Sequence, residues 1–221
     1  MESTVFLNVA VVVFDSDGVL VDSRSSVDRA WRRWAIGRGL DPEDVLESAH
    51  SRPSRETVTS FVPRAAFGEA LAEIDRLELH DAGTVREVLG ATTLLAALPP
   101  DRWAVVTSAT RSLARARLRA AGIPPPPILV TADDVSRGKP DPEGYVAALR
   151  RLGVVPAEAA VIEDSSGGIA AARAAGVATI VRVGSGGAGH GAVAVVPDLR
   201  SVTWRGGLWI ATRTDARCGR G

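Results

Sequence analysis

Asp15 and Asp17 stand two apart at the end of an apolar run, in the stretch V-A-V-V-V-F-D-S-D-G-V-L-V-D-S over residues 9–23. Side chains at i and i+2 of an extended chain point the same way. The two carboxylates could therefore meet one ligand while the Ser16 side chain points elsewhere. Carboxylates that close repel each other, and one pKa rises unless a cation sits between them. Mg²⁺, a hard ion that takes oxygen ligands, is the simplest resolution. A plain Asp-Gly turn accounts for D-G alone, but it leaves a cluster of acids after a buried strand unexplained. Further along, Glu163 and Asp164 follow another apolar strand and could complete an oxygen cage, although Asp164 also suits a helix N-cap. Lys139 is the only lysine, held between glycine and proline in G-K-P-D-P. As a compact point charge it suits a phosphate or a crowded carboxylate cluster. Thr107 and Ser108 end a strand and precede a helix, where a hydroxyl binds a phosphate oxygen. On that pair alone, a simple N-cap is the stronger reading.

The elements that must position these groups follow from the pattern of the chain. Residues 9–14 are apolar and mostly β-branched, as in a strand buried on both faces. Residues 24–38 place Val27, Ala30, Trp31, Trp34 and Ala35 at helical spacing among arginines. Short helical patterns then continue to residue 92, broken at Pro53, Pro63 and Gly83, with no strong strand signal between Ser23 and Ala91. From Trp103 onward strands and helices alternate: strands at 103–107, 128–131, 159–162, 178–183 and 192–196, helices at 108–121, 142–152 and 167–175. That order predicts an α/β fold, with a Rossmann-like parallel sheet, helices on both faces and right-handed crossovers. Ligands bind at the carboxyl ends of such strands, where the acids lie. The intervening segment predicts an inserted all-helical cap over residues 23–91, leaving 1–22 and 92–221 as the core. The stretch G-S-G-G-A-G-H-G over 184–191 lacks the ending of a P-loop and reads as a flexible connection, with His190 a solvated loop residue. No structure is assigned to the tail from Thr203.

The first stretch resembles the leading motif of the haloacid dehalogenase-like phosphatase superfamily, D-x-D-G-[T/V]-L-x-D-S. G-K-P-D-P resembles its third motif, and E-D-S-S-G-G-I-A-A-A-R-A-A-G its fourth, with Thr107 at the place of the second. The resemblance covers residues 9–183 in the family order. It implies that Asp15 is the nucleophile and Asp17 the general acid and base. It further implies that Asp15, the Asp17 carbonyl and Asp164 hold Mg²⁺, with Glu163 bound directly or through water, and that Thr107, Ser108 and Lys139 bind phosphate. Residues 101–145 look like the sugar- and polyol-phosphate phosphatase branch, which includes glycerol-phosphate and deoxyglucose-phosphate phosphatases. That branch carries an H-G-R segment facing the substrate; here it is His50-Ser51-Arg52, with serine replacing a flexible glycine.

Composition bounds the alternatives. The formal net charge is zero and the sole cysteine is Cys218, which argues against a nucleic-acid binder and against a disulfide framework. The N-terminus lacks a basic region and no apolar stretch reaches the length of a membrane span, so a cytoplasmic protein is expected, monomeric or a weak homodimer. The expected activity is Mg²⁺-dependent hydrolysis of a small sugar or polyol phosphate through an aspartyl phosphate. A sugar phosphomutase shares these motifs and is the serious enzyme rival. A dehalogenase would not need Asp17, and a phosphonate hydrolase would need a lysine between Ser23 and Ala91, where there is none. A non-catalytic phosphate-binding relative would not need every charged residue of the site.

Overall fold

The computed structural model describes residues 2–51, 53–184 and 191–213. In chain order its elements are β1 (Glu2–Leu7), β2 (Val11–Phe14), β3 (Val21–Asp22), α1 (Arg24–Gly37), α2 (Pro42–Ser51), α3 (Ser54–Phe61), α4 (Phe67–Asp81), β4 (Arg86–Glu87) and α5 (Ala91–Ala97). They continue with β5 (Trp103–Val106), α6 (Arg111–Ala120), β6 (Leu129–Val130), α7 (Glu143–Leu152), β7 (Ala159–Glu163), α8 (Ser166–Ala174), β8 (Thr179–Val183), β9 (Ala194–Val196), β10 (Val202–Trp204) and β11 (Leu208–Arg213).

The main sheet runs β6-β5-β2-β7-β8-β9, and every neighbouring pair is parallel. β2 is central because its residues can be buried on both sides. Val11 and Val13 pack with Tyr145, Ala148 and Ile169 of α7 and α8. Val12 and Phe14 pack on the opposite face with Leu94 and Leu95 of α5 and Leu118 of α6. From β2 the chain adds β5 and β6 on one side, then crosses to β7, β8 and β9 on the other. Ligand crevices open where the strand order reverses in this way, and here the reversal falls at the end of β2.

The segment between β3 and β4 is helical, as the periodicity predicts, and carries a core of its own. Trp31 and Trp34 of α1 meet edge to face, with ring centroids 5.4 Å apart. Both are buried with Ala70 and Ile74 of α4, Val45 and Leu46 of α2, and Val58 of α3. The Trp34 indole N–H donates to the Ala70 carbonyl at 2.9 Å, so a large apolar ring is buried without an orphaned donor. One short strand interrupts this helical run: β4 pairs antiparallel with β3, forming a two-residue ladder at the base of the segment. α4 and the turn at residues 82–84 pack on α6.

In the tail, the described residues 203–213 form strand structure that the local pattern does not disclose. β11 pairs antiparallel with β1, from Leu7 opposite Leu208 to Glu2 opposite Arg213, and β10 lies on its other side. Leu208 and Ile210 point into the core while Trp209 faces out, where its ring lies 4.7 Å from that of Phe6. Among the described residues no helix is long and apolar enough to cross a membrane. His190 and Cys218 lie outside the described residues.

Candidate active site

The site assembles where β2, β5 and β7 end side by side. After Phe14 the chain turns at once: the Ser16 carbonyl accepts from the N–H groups of Val19, Leu20 and Val21, and Gly18 N–H donates to the Val21 carbonyl at 2.8 Å. Ser16 itself is wholly buried. Gly18 has φ +81°, and a Cβ there would overlap the Asp164 carboxylate. Only glycine fits between the β2 loop and the acid at the end of β7.

Lys139 gathers the cluster. Its Nζ donates to Asp15 Oδ1 at 2.7 Å, to Glu163 Oε1 at 2.6 Å and to the Val106 carbonyl at the end of β5 at 3.2 Å. All of the ammonium donors are thereby used. The loop carrying it is pinned from α7: the backbone N–H groups of Ser136 and Arg137 donate to the two Glu143 oxygens at 2.9 Å each.

Glu163 is fully enclosed, at 0% exposure. Its Oε1 also accepts from the Tyr145 hydroxyl at 3.0 Å. Its Oε2 accepts from the Asp164 N–H at 2.9 Å, the Ser165 N–H at 2.8 Å and the Ser165 hydroxyl at 3.0 Å. Ser165 Oγ in turn accepts from Gly168 N–H at the start of α8, and a Cβ on Gly168 would overlap the Glu163 carboxylate. Both oxygens of Glu163 are thus engaged by the protein itself, so its most direct contribution is to hold Lys139.

The electrostatics leave this cluster short of positive charge. Burial pushes the Asp15 carboxyl well above its ordinary range, with Lys139 opposing and Glu163 and Asp164 adding to the shift. Burial and then the charge of Glu163 push Asp164 up to about 7. Burial is the largest single influence on the Glu163 carboxylate and works against it, but the charge and hydrogen bond of Lys139 together with the Ser165 hydrogen bonds hold that group below the ordinary value. Lys139 itself is held well above its usual range, because Asp15 and Glu163 overcome its desolvation. One carboxylate oxygen from each of Asp15, Glu163 and Asp164 lies within 4.8 Å of the others. Three carboxylates around one ammonium, all hard oxygen donors, suit a small divalent cation such as Mg²⁺. Asp15 and Asp164 are the acids with oxygens to spare.

Asp17 behaves differently. Its Oδ1 accepts from Arg117 Nη1 at 3.0 Å, so its side chain and that of Asp15 are divided between two cations.

A cleft of about 1070 Å³ opens beside the cluster. Thr107, Ser108, Lys139 and Tyr145 line it from the core, and Arg55 and Asp75 from the helical segment. Asp15 is joined to this lining through its 2.7 Å contact with the Lys139 ammonium. Thr107 Oγ1 accepts from the Ala109 N–H at 3.1 Å, a turn contact in the loop rather than the helix cap its place suggested, because α6 begins at Arg111 with Thr110 as its N-cap. Of the two substrate-facing expectations, Arg52 lies outside the described residues. His50 falls in α2, with its side chain outside them. Pro53, the next described residue after them, lines the cleft. Tyr145, Ser165 and Arg117 were not anticipated as site residues. Tyr145 stands in an amphipathic helix and Arg117 in an arginine-rich one, where each pattern suggests packing or solvent.

A family model described as haloacid dehalogenase-like hydrolase matches residues 9–176. Hexitol phosphatase A of Escherichia coli is 40% identical over 169 residues, covering 74% of this chain and 78% of that protein. Validoxylamine A 7'-phosphate phosphatase of Streptomyces hygroscopicus subsp. limoneus is 40% identical over 175 residues, covering 76% and 82%. A solved hydrolase structure from Pseudomonas syringae superposes with a TM-score of 0.75 at 25% identity, covering 86% of this chain and 94% of that one.

Proposed function

The chain belongs to the haloacid dehalogenase-like hydrolases and is a phosphate monoester hydrolase; from that premise we propose that it hydrolyses a small sugar or polyol phosphate through an aspartyl-phosphate intermediate, with Mg²⁺ as cofactor. The observation that carries the reading is the meeting of Asp15, Lys139, Glu163 and Asp164 at adjoining strand ends, beside a cleft that Thr107 also lines. The names of the two relatives, a hexitol phosphatase and a validoxylamine A 7'-phosphate phosphatase, support a small organic phosphate monoester, and the hexitol a hydroxyl-rich one.

Asp15 attacks phosphorus in line as the bond to the leaving alcohol breaks. Asp17 gives its proton to that leaving oxygen. It then takes a proton from the water that attacks the aspartyl phosphate, which releases inorganic phosphate and restores the Asp15 carboxylate. Lys139 and the Thr107 hydroxyl bear on the non-bridging oxygens. A divalent cation held by Asp15 and Asp164, with the Asp17 carbonyl, would supply further charge neutralisation there. Glu163 and Tyr145 keep the lysine in place. Residues 23–91 act as a cap that contributes the leaving-group side of the cleft and shields it from water. The segment at His50 and Arg52 contacts the alcohol.

Phosphate release over a panel of sugar, polyol and nucleotide monophosphates tests the assignment. The highest kcat/KM is expected for a hexitol or related polyol or sugar phosphate. A panel with no turnover in the presence of Mg²⁺, or one led by nucleotides, would refute it.

The metal carries a prediction with a definite sign. Before metal binds, the Asp164 carboxyl is pushed up to about 7, so protons compete with Mg²⁺ for it below that pH. Mg²⁺ should bind more tightly as pH rises, by about tenfold between about pH 6 and about pH 8. Titration calorimetry without substrate reads this directly, and a pH-independent affinity would remove Asp164 from the metal site.

A further inference from the structure

Arg117 lies on a face of α6 shared with Leu113, Ala114 and Leu118, all buried. It is 3% exposed, whereas Arg115 and Arg119 beside it face solvent. A buried guanidinium is costly unless its charge is matched by anions, and here Nη1 and Nη2 are matched on two sides while Nε has no partner among the described residues. Nη1 donates to Asp17 Oδ1 at 3.0 Å, and Nη2 donates to Glu78 Oε1 at 3.1 Å. Asp17 belongs to the loop after β2. Glu78 hangs from α4 of the helical segment, is 5% exposed, and lines the cleft. One planar fork therefore spans the seam between the two parts of the molecule, a geometry that lysine cannot reproduce.

We propose that Arg117 is a positioning residue for the reaction: it aims the Asp17 carboxyl at the leaving oxygen and ties that aim to the seat of α4 through Glu78. This rests on the reading of Asp17 as general acid and base. By taking Oδ1, the guanidinium restricts rotation of the side chain and leaves Oδ2 for proton exchange. It does so without touching substrate. When α4 shifts on α6, Glu78 carries the guanidinium with it, and Asp17 loses or gains its hold. The acid is then in place only when the helical segment is seated over the cleft.

The test uses the dependence on the leaving group. In a two-step transfer kcat/KM reports events through departure of the alcohol. An alkoxide needs a proton as it leaves, whereas p-nitrophenolate needs little help. Arg117→Met should lower kcat/KM for a hexitol phosphate by about 30-fold and for p-nitrophenyl phosphate by less than about threefold. Glu78→Gln keeps the arginine and should show the same selectivity at about threefold to tenfold. It carries the test if Arg117→Met does not fold, as judged by circular dichroism. Arg117→Lys, which can reach only one carboxylate, should fail to restore the hexitol phosphate rate. Equal losses on both substrates in folded variants, or no loss, would overturn the proposal and leave Arg117 a strut between helices. Asp17→Asn is the control. If it is strongly selective against the hexitol phosphate while the Arg117 and Glu78 variants are not, the proposal alone fails. If Asp17→Asn shows no such selectivity, the acid–base reading fails and the proposal with it.

Discussion

Asp15→Asn should reduce turnover of every phosphate ester by about 10⁴-fold or more while the protein still folds. The amide is nearly isosteric with the carboxylate but cannot form an acyl phosphate, so the covalent step has no route. Folding should survive because Lys139 keeps two of its three partners, Glu163 Oε1 and the Val106 carbonyl. Removing Asp15's charge also relieves the repulsion it shares with Glu163 and Asp164, the same repulsion that adds to the rise in its own pKa. Rapid quenching with a ³²P-labelled substrate provides a second readout. The native enzyme should carry an acid-stable, hydroxylamine-labile label that the variant lacks. A variant that released phosphate at near-native rates, or still took up label, would move the nucleophile to another residue.

The parts of the site that a single sequence discloses are those whose chemistry contradicts their surroundings. Acids that end buried apolar runs, at Asp15 and at Glu163-Asp164, have no structural reason to be there, and a lone lysine fixed between glycine and proline in an arginine-rich chain is equally out of place. The central strand is legible for a related reason: residues 9–14 can only be satisfied by burial on both faces, which fixes its place in the sheet. Other parts are hidden because their partners are remote. β1 and β11 lie at opposite ends of the chain, and nothing in V-T-W or L-W-I-A-T-R says that residues 2–7 will pair with them. Arg117 is one of several arginines on its helix, and only the fold shows that this one turns inward between residues 17 and 78. The division of labour within the acid pair is hidden too. Glu163 and Asp164 are adjacent and alike in chemistry. Only the donors that reach them, from residues 139, 145 and 165, separate the one that holds the lysine from the one left with oxygen to offer.

That division makes Glu163→Gln the most discriminating substitution. The amide has the shape of the carboxylate but replaces one acceptor oxygen with an NH₂ group. Whichever way it turns, that group faces donors: Lys139 and Tyr145 on one side, or the Asp164 and Ser165 N–H groups and the Ser165 hydroxyl on the other. The position is wholly buried, so water cannot relieve the clash, and the Lys139 ammonium loses one of its two carboxylates. Breaking a buried ion pair from one side costs about 3–5 kcal/mol. In a chain of this length that lowers Tm by roughly 10 °C. The loss should appear in full in protein stripped of metal with EDTA, because the contacts involved are all within the chain. If Glu163 instead served chiefly as a metal ligand, metal-free native and variant proteins would melt together, and only the stabilisation added by Mg²⁺ would differ. Thermal melts of both proteins with and without Mg²⁺ separate the two roles. Equal melting in EDTA would transfer Glu163 from the support of Lys139 to the metal.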